Sequence, residues 1–131
     1  MSTLKVGTIQ DTSAGSSSTP AQLMNGRAKA WVKWNGTGTL AINASYNVST
    51  VTDNGTGDYQ VNFTTAFANA NYTANFQGDD ATIGGTGHCF PFIMRDSGDF
   101  MTTTYTNVIW FIGTNSNTRV DVDLCCGIFF G

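Results

Sequence analysis

A predicted β-hairpin between Asn47 and Thr65 constrains the fold of this chain more than any other stretch. Its sequence runs NVSTVT, then DNGTG, then DYQVNFTT. Asn54-Gly55 is a strong turn signal, because a type I′ turn needs positive φ at both central positions, which Gly and Asn tolerate best. Gly57 can take the left-handed position of a β-bulge next to the turn.

Apolar and polar residues alternate in this hairpin and again along the chain. Tyr59, Val61 and Phe63 occupy alternate positions of its second strand. Similar alternation occurs in residues 28–34, 40–44, 72–76 and 119–124, and residues 100–106 and 107–113 are interpreted as two more strands. Each segment predicts a strand with one buried face, since successive strand side chains point to opposite faces. Many short strands at regular spacing predict an all-β fold, specifically an antiparallel β-sandwich of jelly-roll-like type.

The beginning of the chain predicts a separate segment. Residues 11–19 are rich in Ser, Thr and Gly and are typical of a flexible connector. Pro20 opens a single helical turn, with Thr19 as its N-cap. We therefore expect residues 1–26 to be a short extended N-terminal segment with a linker, and residues 27–131 to be the folded domain.

The composition excludes several classes of function. Charged residues make up 11% of the chain, glutamate is absent, and the formal net charge is −3. No basic cluster is present, which argues against nucleic acid as a partner. The first residues lack the apolar stretch of a signal peptide, and no segment has the length of a membrane span. We expect a soluble chain that is not exported through a signal peptide.

The three cysteines, Cys89, Cys125 and Cys126, form a poor disulfide framework. Cys125 and Cys126 are adjacent, so in a regular strand they point to opposite faces. A Cys125–Cys126 or a Cys89–Cys125 bridge is the alternative. We expect reduced thiols packed as small apolar side chains.

Three groups of residues can be imagined as metal or catalytic sites. His88 lies near Asp79, Asp80 and Cys89, but the number and spacing of ligands do not suit zinc. Oxygen-bearing residues around the hairpin turn could attract calcium, although Asx-turn chemistry explains them as well. Asp121 and Asp123 could form a carboxylate pair for glycoside hydrolysis, but an exposed polar ladder is the commoner meaning. We predict no metal, no cofactor and no enzymatic activity.

Several large apolar residues lie at positions that the core of a small monomer would not bury. The C-terminal sequence CCGIFFG is highly apolar, and chain ends normally lie at a surface. Large exposed apolar patches mark interfaces, so we expect an obligate oligomer. The predicted subunit-interface residues are Trp31, Phe92, Ile128, Phe129 and Phe130.

Three blocks of the sequence carry a family resemblance. The opening STLKVGTIQDTS, the segment GRAKAWVKWNGTGT and the segment NVSTVTDNGTGDYQVNFTT resemble short tail-fibre proteins of tailed bacteriophages, especially those of aquatic bacteria. The blocks fall in roughly the first three-fifths of the chain. One departure concerns the pair that follows Thr39-Leu40-Ala41-Ile42: that family often has Arg-Asp there, whereas this chain has Asn43-Ala44.

The resemblance implies a homotrimer in the virion that is assembled in the host cytoplasm. Its N-terminal segment would attach to other tail or virion proteins. Its β-domain would recognise the host surface, through a polysaccharide or an outer-membrane receptor. The alternative is a purely structural virion component, such as a collar, baseplate or capsid-decoration protein.

The longest irregular stretch, residues 78–88, is the predicted receptor-binding loop, together with the hairpin turn. Hydroxyl and carboxylate groups there can bond the hydroxyls of a glycan, and Phe76 or Phe90 could stack on a sugar ring. The candidate residues are Asp79, Asp80, Thr82, Thr86, His88, Asn54 and Thr56. If the strands simply alternate in direction, the turns near residues 35–38, 53–57, 78–87 and 106–107 lie distally, and those near 66–70, 96–98 and 114–117 face the linker.

Overall fold

The computed structural model describes residues 2–10, 12, 17–79, 89–93, 100–112 and 118–131. These residues form ten strands and one short helix. In chain order they are β1 (Ile9–Gln10), β2 (Ser17–Ser18), α1 (Pro20–Gly26), β3 (Ala30–Asn35), β4 (Ala41–Tyr46), β5 (Val48–Gly55), β6 (Asp58–Phe63), β7 (Thr73–Asp79), β8 (Cys89–Phe92), β9 (Tyr105–Ile112) and β10 (Leu124–Phe130).

The strands form one small and two larger sheets. β1 pairs with β2, the first four-stranded sheet has the order β4-β3-β10-β7, and the second has the order β5-β6-β9-β8. Neighbouring strands are antiparallel in every sheet. The prediction of an antiparallel all-β fold is confirmed.

Aromatic side chains from both four-stranded sheets meet in one core. The rings of Trp34 and Tyr59 are 5.9 Å apart between centroids, and those of Phe63 and Phe129 are 5.0 Å apart. Both contacts join the first sheet to the second, and their edge-on geometry is the favoured one for aromatic pairs. The fully buried large side chains also include Trp110 of β9. Alternation within the strands predicted the inward positions of Trp34, Tyr59 and Phe63 correctly.

The central hairpin forms, but its turn is not at Asn54-Gly55. Gly55 pairs with Asp58, so Thr56 and Gly57 make the turn. Among the described residues, Asn47 is the one non-glycine residue with positive φ, which excludes a type I′ turn at Asn54. The carboxylate of Asp53 accepts a hydrogen bond of 2.9 Å from the N–H of Gly55. The residues predicted to form the hairpin turn form this Asx turn instead. The chain reverses direction two residues later, at Thr56 and Gly57. Gly57 has the predicted left-handed conformation, with φ of 65°.

Two predicted strand boundaries are wrong. The predicted break at residues 106–107 lies inside a single strand, β9, because buried Thr106 and Asn107 continue its ladder to β6. The predicted strand over residues 119–124 begins only at Leu124. Residues 114–117 lie outside the described residues. Their described neighbours are joined by a hydrogen bond of 2.9 Å from Ile112 N–H to Thr118 C=O.

The helix α1 begins as predicted. The Thr19 side chain accepts a hydrogen bond from Gln22 N–H, and the Gln22 side chain accepts one from Thr19 N–H at 2.8 Å. This capping box satisfies two of the donors that a helix N-terminus leaves without intrahelical partners. At the C-terminal end of the helix, Lys29 Nζ donates a hydrogen bond of 2.5 Å to Met24 C=O.

The adjacent cysteines point to opposite faces of β10. Cys125 is fully buried, and its thiol donates to Val122 C=O at 3.3 Å, whereas Cys126 is half-buried on the outer face. Both have free thiols. Burial raises the pKa of the Cys125 thiol well above its ordinary value of 9.0.

Stability is expected to fall above pH 9. The folded state holds the Cys125 proton after the unfolded chain has lost it, so folding is progressively disfavoured as the pH rises past the ordinary thiol pKa. Burial, reinforced by the Asp121 carboxylate, likewise raises the pKa of Tyr59 above 10.0, which adds a second contribution beyond pH 10. Urea unfolding from pH 7 to 11 should show a loss of up to about 1.4 kcal/mol per pH unit for each group. Cys125→Ala should remove the loss between pH 9 and 10, and an unchanged slope would contradict the assignment.

Candidate functional site

One end of the two four-stranded sheets gathers the predicted receptor-binding residues that the structure describes. We call it the hairpin end, after the turn at Thr56 and Gly57. At this end Tyr59 of the second sheet is bonded to the turn after β3 of the first sheet, because its hydroxyl donates to Gly36 C=O at 2.9 Å. Gly36 N–H in turn donates to Val122 C=O at 2.8 Å, close to where β10 begins beside the last residue of β7, Asp79.

Asn54, Thr56 and Asp79 are all exposed at the hairpin end. The remaining candidates, Asp80, Thr82, Thr86 and His88, lie outside the described residues. Their described neighbours, Asp79 at the end of β7 and Cys89 at the start of β8, belong to this same end. The strand directions therefore agree with the predicted grouping of the hairpin turn and residues 78–88.

Carboxylates at the hairpin end are largely used within the chain. Asp53 accepts the N–H of Gly55, and Asp58 lies 3.5 Å from the guanidinium of Arg119. The Asx-turn interpretation of these residues is confirmed for Asp53. Within the described ranges, no group of three or more His, Cys or Asp residues could hold a metal ion.

Asp121 braces the hairpin instead of forming a pair with Asp123. One of its carboxylate oxygens accepts hydrogen bonds from Gly57 N–H at 2.7 Å and from the Tyr59 hydroxyl at 2.9 Å. Residues 120–123 are irregular, so the predicted exposed ladder of alternating aspartates is wrong at this place. The carboxylate holds the turn against the strand core and is a structural group here.

Asp121→Ala is expected to destabilise the chain by about 1–3 kcal/mol, because it leaves the Gly57 N–H without its acceptor and the buried Tyr59 hydroxyl with Gly36 C=O as its one remaining acceptor. Asp123→Ala is the matched control, since Asp123 is half-buried two residues away and has no hydrogen-bond partner among the described residues. It should change the free energy of unfolding by no more than about 0.5 kcal/mol. Equal losses in urea titrations of the two variants would contradict the bracing role.

An aromatic surface lies on edge strand β8 of the second sheet. Phe90 and Phe92 are 48% and 51% exposed, and Phe92 packs edge-on against Phe111 at 5.6 Å between centroids. With about half of its side chain exposed, Phe90 remains a candidate for stacking on a sugar. Phe76 does not, because it is buried in the core against Trp34 and Phe129.

The outer face of the first sheet carries a second exposed apolar surface. Tyr46, Trp31 and Ile128 lie side by side on β4, β3 and β10 in one register. Their side chains are 52%, 40% and 36% exposed. We call these three residues the apolar row. The row continues to Asn75 on β7, which also lines a groove of about 310 Å³ with Phe92 between β7 and β8.

The predicted interface residues separate into two groups. Trp31, Ile128 and half-buried Phe130 lie on the outer face of the first sheet, and Phe92 lies beyond its β7 edge. Phe129 is different: it is fully buried against Phe63 and Phe76, so its side chain has no surface to offer a second chain. The alternation of β10 places Phe129 inward and its neighbours outward, and the interface prediction for Phe129 is corrected accordingly.

Tyr46 was missed by reasoning from the sequence. It lies at the end of β4, where the reversal at Asn47 makes a strand residue look like part of a turn. The signal that could have found it is its register opposite Trp31, which depends on the length of the preceding turn.

Comparison with known proteins identifies no relative. No protein-family model, no curated protein and no solved structure matches the chain. The described residues contain no helix that is both long and apolar enough to cross a membrane.

Proposed function

We propose that this chain is a bacteriophage tail-fibre tip protein that binds glycans on the host surface as a homotrimer and catalyses no reaction. The proposed architecture is a β-sandwich, in which the two four-stranded sheets share the core around Trp34 and Tyr59. The resemblance of three sequence blocks to phage tail fibres supplies the biological context.

The apolar row is the observation that carries this proposal. Monomeric proteins expose single apolar residues commonly, but contiguous apolar surface is typical of an interface. Tyr46, Trp31 and Ile128 cross three adjacent strands, and no charged side chain interrupts their register. Association of copies through this face would remove the three side chains from water.

The hairpin end is the proposed receptor-binding surface. It carries the turn residues Asn54 and Thr56 and the described flanks of the 78–88 segment. A rigid sheet that presents polar turns is the usual arrangement for variable recognition surfaces. Several identical sites on one trimer would raise the effective affinity through avidity.

The oligomer is tested by light scattering on a sizing column. The wild-type mass should be near three times 14.0 kDa. Trp31→Lys should reduce the mass to that of one chain, because it buries a charge at the proposed interface. Thr52→Lys on the exposed face of the second sheet is the control and should leave the trimer intact. A wild-type monomer would refute the homotrimer.

Receptor binding is tested with fluorescently labelled trimer on a panel of aquatic bacteria and their purified surface polysaccharides. Binding to a subset of strains is expected, and replacing residues 79–88 by a Gly/Ser segment of equal length should weaken it. Replacing the exposed residues 69–71 in the same way is the control. A stable trimer that binds no strain would favour the structural virion component instead.

A further inference from the structure

Among the described residues, the aspartates and two of the cations lie at opposite ends of the sheets. All five aspartates that the structure describes lie at the hairpin end, namely Asp53, Asp58, Asp79, Asp121 and Asp123. Arg27 and Lys29 lie at the opposite end, between helix α1 and strand β3. The described residues at the end that carries Arg27 and Lys29 thus include two cations and no aspartate.

A pocket of about 390 Å³ opens at this end of the sheets. Arg27, Lys29 and Tyr46 line it together with Asn47, Thr65 and Phe67. None of the five described aspartates lines the pocket. Among the residues that the structure describes, neither Arg27 nor Lys29 has a carboxylate within ion-pair distance. The volume falls in the range of ordinary small-molecule sites.

Hydrogen bonds hold the wall of the pocket in place. The Asn47 side-chain amide donates to Lys29 C=O at 3.2 Å and to Thr65 C=O at 3.1 Å, and its oxygen accepts from Thr65 N–H at 2.8 Å. Asn47 itself has φ of 54°, a conformation that asparagine tolerates better than most residues. The Lys29 ammonium is fixed on Met24 C=O at 2.5 Å, which positions its charge without neutralising it.

We infer that this pocket binds an anionic monosaccharide unit, with Arg27 and Lys29 holding its carboxylate or phosphate and Tyr46 contacting its ring. A guanidinium and an ammonium are the donors that such anions prefer, and charge-assisted hydrogen bonds are about twice as strong as neutral ones. The 52% exposed phenol ring of Tyr46 supplies an apolar surface and a polar tip beside them. The inference depends on the proposed function only for the source of the sugar, an acidic polysaccharide of the host.

Isothermal titration of the full chain with three sugars tests the pocket. Glucuronate carries a carboxylate, glucose 6-phosphate carries a phosphate, and glucose is the neutral comparison. At least one anionic sugar should bind at least tenfold more tightly than glucose, and its affinity should fall as NaCl is raised. The tighter of the two identifies carboxylate or phosphate as the preferred group. Glucose binding as tight as either anion would overturn the inference, and so would the absence of binding by both anions.

Charge-removing variants locate the binding. Arg27→Gln and Lys29→Gln should each weaken the anionic sugar about 10- to 100-fold, as expected for a lost hydrogen bond to a charged group. Lys33→Gln is the matched control, because Lys33 lies four residues further along the chain, on strand β3, and does not line the pocket. Equal weakening by Lys33→Gln would overturn the assignment to the pocket.

The two proposals can fail separately. Binding of an anionic sugar through Arg27 and Lys29, without binding to any bacterial surface, would refute the proposed function and support the pocket. If the chain binds bacteria, Arg27→Gln leaves that binding unchanged and free anionic sugars do not bind, the proposed function is supported and the pocket is refuted.

Discussion

Gly57→Ala is expected to lower the free energy of unfolding by about 2–5 kcal/mol, the sum of a conformational cost and a steric one. Gly57 has φ of 65°, where an L-residue is strained. A Cβ atom there would lie 2.7 Å from both the N and the O of Val120 and 2.8 Å from Trp110 O. These are backbone atoms, so the overlap can be relieved only by separating the hairpin turn from the chain around Val120.

Gly38→Ala separates the two costs. Gly38 has nearly the same φ, 64°, but an added Cβ would meet no atom within 4 Å. The Gly38→Ala variant should lose about 1–2 kcal/mol of unfolding free energy, which is the conformational cost alone. Urea titrations of both variants give the difference, which measures how tightly the turn packs on residues 118–122. Equal losses would show that the close approach at Gly57 contributes nothing.

A larger loss at Gly57 would also bear on the candidate receptor surface. Gly57 N–H bonds Asp121, and Gly57 C=O accepts from Trp110 N–H at 2.8 Å. The turn that presents Thr56 is therefore attached to the core strand β9 through Trp110 and to the segment before β10 through Asp121. A rigid turn loses little conformational entropy on binding, which favours affinity for a rigid ligand.

Local alternation predicted the core well, because the identity of the inward residues depends on a period of two and not on distant contacts. Tyr59, Val61 and Trp34 are inward as the pattern requires. The predicted start of β10 is wrong for a non-local reason. Asp121 departs from strand geometry to reach Gly57 and Tyr59, residues more than sixty positions away in the chain.

The candidate surfaces were only partly predictable for the same reason. The sequence predicts Trp31 and Ile128 as separate interface residues because they are large and apolar. That they lie beside Tyr46 on one surface follows from strand order and register. Arg27 and Lys29 carried no signal in the sequence, since two cations in a charge-poor chain form no motif. Their site exists because the reversal at Asn47 brings β4, residue 65 and the end of α1 together.

Phe129→Ala and Phe130→Ala are expected to have opposite effects on folding and association. Phe129 is fully buried, with Phe63, Tyr72 and Phe76 around its ring at centroid distances of 5.0, 6.2 and 5.5 Å. Its removal leaves a cavity that these rings cannot fill, so the loss should be about 3–5 kcal/mol. Phe130 lies half-buried on the outer face, and its truncation should cost no more than about 1 kcal/mol within one chain.

The comparison requires chains that are not associated, because association stabilises whichever variant retains its interface. Unfolding should therefore be measured in urea at a concentration where light scattering gives the mass of one chain. The same variants are then compared at high concentration, where Phe130→Ala should lose the trimer. Phe129→Ala should regain the wild-type mass wherever it is folded, because its side chain faces the core. Loss of the trimer by folded Phe129→Ala, with Phe130→Ala unaffected, would mean that β10 presents its other face to the partner and that the sheet packing described here does not hold in the assembly.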